Sequence, residues 1–149
     1  MTSSPPFSSE EDSTLVEIDW LRLERVAIET RQRAHAPYSK YFVGAAILGS
    51  DGLIHRGCNV ENASYGLTIC AERSAAVSMV AAGCKKIQGV VVVTAGPKAG
   101  SPCGACRQVL FELCEDAPLI MLAVDEKNEV IDRRHSSIVQ LLPDGFRLL

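Results

Sequence analysis

Ile87-Gln88-Gly89-Val90-Val91-Val92-Val93-Thr94 decides how this chain folds. A continuous β-branched run has no wet face, which is what a strand buried on both sides requires. Such a strand sits inside a sheet with helices packed on its faces. Upstream of it, helix signals run from about Cys70 through Ala75, Ala76, Met79, Val80 and Ala82 and stop at Gly83. Downstream, a loop with Gly96, Pro97 and Gly100 leads to Pro102 and a helix over about Cys103–Cys114, followed by a second buried strand over Leu119–Val124.

Working outward, Asp19 caps a helix that starts at Trp20 and runs to Pro37. Its inner face carries Trp20, Leu23, Ala27, Thr30 and Ala34, widened by Val26, while Glu24, Arg25, Arg31 and Arg33 fall on the wet side. Phe42–Gly49 and Leu53–Val60 read as a hairpin turned by Ser50-Asp51-Gly52. A polar loop, Glu61 to Gly66, joins it to the central helix. Glu126-Lys127-Asn128 makes a turn, Val130-Ile131 a short edge strand, and Ser136 or Ser137 caps a last helix broken by Pro143. A hairpin followed by βαβ connections predicts an α/β fold: a three-layer α/β/α arrangement on a mixed sheet of about five strands. Residues 1–14 read as a disordered tail and residues 15–149 as a single catalytic domain.

Two short clusters carry the chemistry: Cys70-Ala71-Glu72-Arg73 and Pro102-Cys103-Gly104-Ala105-Cys106-Arg107. Both fall where a strand gives way to a helix, the place where such sheets bind ligands. The positive end of a helix favours thiolate over thiol. Cys103 and Cys106 are one turn apart, so both sulfurs can reach one ion. Three thiolates hold Zn²⁺ and leave a fourth position open. Glu72, two residues from a ligand, can move protons at that position. A closed four-cysteine site is the competing reading. Cys84 and Cys114 lie at the far ends of the two helices, roughly 15 Å away for a ten-residue helix, whereas Cys58 stays within reach by length. Arg73 or Arg107 can donate to thiolate sulfur and draw charge from the anionic centre, Arg73 being the better placed.

Composition narrows the partners. The chain has 149 residues, a hydrophobic fraction of 47%, a formal net charge of −3 and no cluster of Lys and Arg. That balance argues against a nucleic acid polymer as ligand. No apolar run is long enough to span a bilayer, and Met1 to Thr14 lacks the pattern of a signal peptide, so a cytoplasmic location is expected. Six cysteines without a secretory signal point to metal binding plus free buried thiols rather than disulfides.

With those clusters in place the chain resembles the small, homotetrameric cytidine deaminases from about Trp20 to Phe146. Cys₃ ligation, a non-ligating Glu and a Pro-Cys-x-x-Cys segment form the known arrangement of zinc deaminases. Further matching segments are Ala36-Pro37-Tyr38-Ser39, Val43-Gly44-Ala45-Ala46, Gly57-Cys58-Asn59-Val60-Glu61-Asn62-Ala63 and Leu141-Leu142-Pro143. The resemblance implies zinc on Cys70, Cys103 and Cys106, with Glu72 as proton shuttle. It implies that Asn59 and Glu61 hydrogen-bond the ribose and that the backbone N–H of Ala71 helps hold the base. Tyr65 and Phe146 resemble residues that reach a neighbouring subunit's site. The implied reaction is deamination of cytidine and 2′-deoxycytidine. Other aminopyrimidine nucleosides or antibiotics, and a non-catalytic zinc-stabilised module, are the alternatives. One departure stands out: the family commonly has Phe-Pro before Val43-Gly44, and this chain has Tyr41-Phe42, so Tyr41 presents the aromatic face there. That bears on substrate preference, including tolerance of modified cytosines.

Overall fold

The computed structural model describes residues 17–148, and the tail read over residues 1–14 lies outside them. The elements run α1 (Trp20–Arg31), β1 (Gly44–Gly49), β2 (Ile54–Cys58), a 3₁₀ turn (Tyr65–Leu67), α2 (Ala71–Ala81), β3 (Ile87–Ala95), α3 (Gly104–Glu112), β4 (Pro118–Val124), β5 (Val130–Ser137) and α4 (Ile138–Leu141). They form a five-stranded sheet of order β2-β1-β3-β4-β5. Only the β3–β4 pairing is parallel, with Val90 opposite Leu119 and Ala95 opposite Val124. The sheet is therefore mixed, as the connections require.

Alternation along the strands sends side chains to two separate cores. Ala45, Ile47, Val90, Val92, Leu119 and Met121 meet α2, α3 and α4 through Ala75, Met79, Leu110 and Ile138. Their neighbours Ala46, Val91, Val93, Ile120 and Leu122 meet α1 through Leu23 and Ala27. The four valines are at most 1% exposed, so the run reads as it should for a strand covered on both faces. Against β2, the backbone of α2 lies flush. A Cβ on Gly57 would stand 2.3 Å from the Ala75 nitrogen and 2.4 Å from the Ala71 oxygen. That contact sets the position of the first turn of α2, which carries Glu72.

Four local expectations change. Helix α1 ends at Arg31 with Gln32 as its cap, well before Pro37. Beyond it the chain extends, and His35 bridges Val60. Trp20 is half-buried at the margin of the α1 core rather than central to it. Glu24 is buried, not solvated, because Arg133 on β5 donates to both of its carboxylate oxygens. Finally, β5 is an eight-residue strand, not a two-residue edge. Its residues are mostly exposed at the last position of the sheet, and an edge strand of that kind has little hydrophobic signature.

Candidate functional site

Cys70 and Cys103 occupy the N-cap positions of α2 and α3 in extended backbone conformation. Neither side chain makes a capping hydrogen bond, so both thiols are free to turn towards a common point. Cys106 joins them from one turn into α3. The Cys70 and Cys103 sulfurs are 3.9 Å apart, and all three lie within 4.8 Å of one another. Four ligands at the usual Zn–S length of about 2.3 Å place neighbouring sulfurs about 3.8 Å apart. The donor spacing therefore fits tetrahedral zinc.

The electrostatics of the thiols point the same way. Hydrogen bonding to the Cys106 thiol and to Arg73 brings Cys70 down to about 5, against an opposing burial effect. Cys106 is pushed up, first by its hydrogen bond to Cys70, then by burial and the nearby charge of Glu72. One thiolate forms readily, and further ones repel it. A cation is what allows all three to be thiolates at once. Cys58 does not join the cluster; its thiol lies 3.7 Å from the Arg33 carbonyl. Cys114 is likewise elsewhere, 3.3 Å from the Leu110 carbonyl.

Glu72 lies in the first turn of α2 at 5% exposure. Burial raises its carboxyl above the usual range, and the charge of Cys70 adds to that. A carboxyl so placed holds a proton more readily than an exposed one, as a group that takes and returns protons requires. Arg73 extends Nη2 to within 3.6 Å of the Cys70 sulfur and 3.4 Å of the Thr68 carbonyl. Arg107 does neither: it donates to the carbonyls of Pro102 and Leu141 at 2.8 and 2.9 Å, bracing the entry of α3 against α4.

Tyr41, Asn59, Cys70, Ala71, Glu72 and Cys103 all line one cavity of about 200 Å³. Both ends of the Asn59 amide are engaged with the chain itself: Oδ1 accepts from Val43 N at 2.8 Å and Nδ2 donates to the Tyr41 carbonyl at 2.8 Å. Glu61 and Tyr65 line a neighbouring depression together with Tyr38 and Ser39, and Thr68 borders both spaces. Glu61 accepts from the backbone N–H groups of Tyr38 and Ser39 and from the Ser39 hydroxyl, at 2.5–3.1 Å. Tyr65 is 78% exposed and meets Tyr38 edge-on, with ring centroids 6.2 Å apart. Phe146 reaches neither space in its own chain; it is 66% exposed, its carbonyl accepting from Gln108.

Sequence reasoning did not assign Thr94 and Ser101, which line the same cavity as Asn59, or Ser39, which holds Glu61. Their signals were positional only: Thr94 ends the buried run, and Ser101 directly precedes Pro102 and Cys103.

The family model for the cytidine and deoxycytidylate deaminase zinc-binding region matches residues 20–122. A cytidine deaminase of Sporosarcina psychrophila is 42% identical over 79% of this chain and 84% of its own length. One from Halalkalibacterium halodurans is 41% identical over 87% of this chain and 95% of its own. Among solved structures, the cytidine deaminase of Burkholderia pseudomallei superposes with a TM-score of 0.79 at 41% identity, covering 87% of this chain and 100% of the other. That of Mycobacterium tuberculosis gives 0.71 at 36% identity, over 89% and 100%.

Proposed function

This chain belongs to the cytidine and deoxycytidylate deaminase family, and from that premise we propose that residues 15–149 form one catalytic domain with the site assigned below. The enzyme is a zinc-dependent hydrolase that converts cytidine and 2′-deoxycytidine to uridine and 2′-deoxyuridine, releasing ammonia. Cys70, Cys103 and Cys106 would hold the zinc, which when bound supplies the Lewis acidity that makes a water nucleophilic at neutral pH. Glu72 accepts the proton of the water that adds to C4 of the pyrimidine and places it on N3. It then takes the proton of the hydroxyl now on C4 and delivers it to the exocyclic nitrogen, so that the C4–N bond breaks, ammonia leaves and the C4 carbonyl of the uridine forms. The N–H of Ala71, at the positive end of α2, holds the base. Tyr41 covers the base from the mouth of the cavity. Asn59 and Glu61 take the ribose hydroxyls. Arg73 draws charge from the Cys70 sulfur.

The observation that carries this reading is one buried carboxyl, Glu72, lining the same cavity as two of three clustered thiols. Glu72→Gln keeps shape and hydrogen bonding but cannot shuttle protons. It is expected to retain zinc and fold while losing at least about 10²–10⁴-fold in ammonia release. Turnover near wild type would reject the role of Glu72. Ammonia release measured across cytidine, 2′-deoxycytidine, free cytosine and modified cytidines separates this reading from deamination of another aminopyrimidine.

The active assembly is a homotetramer with shared sites. Tyr65 and Phe146 are largely exposed in the single chain, and Val77 and Val80 of α2 border an open apolar groove with Val109 and Leu113 of α3. A fully active monomer in light scattering would overturn the tetramer. The site prefers nucleosides to nucleotides, since Glu61 would repel a nearby phosphate and no Lys or Arg lies in the Asn59–Thr68 loop. Equal turnover of cytidine and its 5′-monophosphate would refute that preference. We assign the enzyme to pyrimidine salvage in the cytoplasm; no helix among the described residues is long and apolar enough to cross a membrane.

A further inference from the structure

At the other end of α2, the β1–β2 turn, the start of β2 and the α2–β3 connection bring together three groups that the deamination site does not use. Asp51, His55 and Cys84 each offer one donor atom, and those atoms all lie within 4.8 Å of one another. His55 and Cys84 are 7% and 5% exposed, whereas Asp51 opens to solvent. The imidazole Nε2 is 3.0 Å from Asp51 Oδ2 and 3.3 Å from Oδ1. The Cys84 sulfur is 3.5 Å from the Ser50 hydroxyl and 3.6 Å from the Lys86 carbonyl. The eleven residues of α2 separate this cluster from Cys70 by about 16 Å.

A second observation shows that the donors converge. A Cβ placed on Gly49 would stand 2.6 Å from Asp51 Oδ1, 2.7 Å from the Cys84 sulfur and 3.2 Å from His55 Nε2. All three donor atoms face the space over the Gly49 Cα, which only glycine leaves open. Lys86 does not neutralise the cluster, since its ammonium pairs with Glu115 at 3.7 Å.

We propose that Asp51, His55 and Cys84 form a second metal site, for a borderline divalent cation of the zinc class, at the hairpin end of the sheet. Thiolate, imidazole and carboxylate together suit Zn²⁺ or Co²⁺ and disfavour the all-oxygen cations Mg²⁺ and Ca²⁺. Asp51, as the exposed ligand, leaves the fourth position to solvent. The bound ion ties the β1–β2 hairpin to the α2–β3 connection.

Co²⁺ titration of the zinc-loaded full chain tests this. One Co²⁺ per chain beyond the zinc already held is expected, with sulfur-to-cobalt charge-transfer absorption. Cys84→Ala and Asp51→Asn are each expected to lose that equivalent and to keep the ammonia release of the parent. Exchange of cobalt into the Cys70 cluster would appear equally in all three proteins, so the difference between them is the readout. Asp51→Asn, at an exposed position, keeps the test open if Cys84→Ala folds poorly. Equal cobalt uptake by the parent and Asp51→Asn or Cys84→Ala, or no uptake beyond the zinc, would overturn the proposal. The cluster would then be only a hydrogen-bonded lock on the hairpin.

Discussion

Replacing Gly57 by Ala tests whether the seating of α2 on β2 sets the catalytic geometry. The added methyl would meet backbone at 2.3 and 2.4 Å, where ordinary contacts begin at about 3.4 Å. Both obstacles are main-chain atoms of the helix, so no side-chain rotation relieves them. Helix α2 must therefore lift by about 1 Å, or β2 must bend away by as much. Overpacking of this kind costs about 1–3 kcal/mol. For a chain of this size that is a fall in Tm of about 2–4 °C per kcal/mol. Catalysis is more sensitive, because the obstructing Ala71 carbonyl lies between Cys70 and Glu72, and a 1 Å misplacement can cost about 10²-fold. Thermal unfolding followed by circular dichroism, with zinc content and ammonia release on the same sample, reads both effects. Gly104→Ala is the control: it directly follows Cys103, but an added Cβ there meets nothing within 4 Å. It is expected to retain activity and gain at most about 1 kcal/mol. Gly57→Ala with the Tm and turnover of the parent would refute the reasoning.

Arg73→Gln is expected to keep zinc and lose about 10–100-fold in rate, since it removes a donor from the Cys70 sulfur; an unchanged pH–rate profile and rate would count against it. Arg133→Ala strips buried Glu24 of its partner and is expected to cost about 1–3 kcal/mol in denaturant unfolding, and equality with the parent would show that the pair contributes nothing. The Ser39 hydroxyl, then the backbone N–H groups of Ser39 and Tyr38, hold Glu61 below the usual carboxylate range. A lowered folded pKa means that this tie is fully present above the ordinary value of about 4.3 and is lost as pH falls through the lower folded value. Protection of the Tyr38 and Ser39 amides, taken against their intrinsic exchange rates, should therefore fall as pH drops below the ordinary carboxylate value of about 4.3, and Glu61→Gln should abolish that dependence.

What the sequence made legible was whatever local pattern controls. The valine run admitted no exposed face, and each cysteine cluster followed a strand and opened a helix. Parallel pairing of β3 with β4 then brings the starts of α2 and α3 together, so convergence of the thiols follows from topology. The misses share a different cause. Glu24 looks solvated in its own helix because Arg133 lies 109 residues away. The end of α1 is set by an extended segment in which His35 bridges Val60, not by Pro37, the nearer local signal. Strand β5 carries Asp132, Arg133, Arg134 and His135 in sequence, which no hydrophobic pattern would recognise.

Asn59 and Glu61 show why residue type alone does not reveal how a polar group is used. An amide offers two donors and an acceptor with two lone pairs. Asn59 uses one donor on the Tyr41 carbonyl and one lone pair on the Val43 N–H, which leaves half of its capacity for other partners. Glu61 similarly holds Tyr38 and Ser39 with both carboxylate oxygens. The pair assigned to the sugar is thus also the clamp on residues 38–43, the segment that carries Tyr41. Phe42 stands where the related enzymes commonly have a proline ring to restrict the backbone, and the Asn59 amide spans that residue on either side. The side chain proposed to bind ribose therefore also holds the backbone on both sides of Phe42, beside Tyr41 in the cavity lining. On the proposed assignment, sugar recognition and the placement of Tyr41 would be linked through one residue, and Asn59→Ala is expected to disturb both.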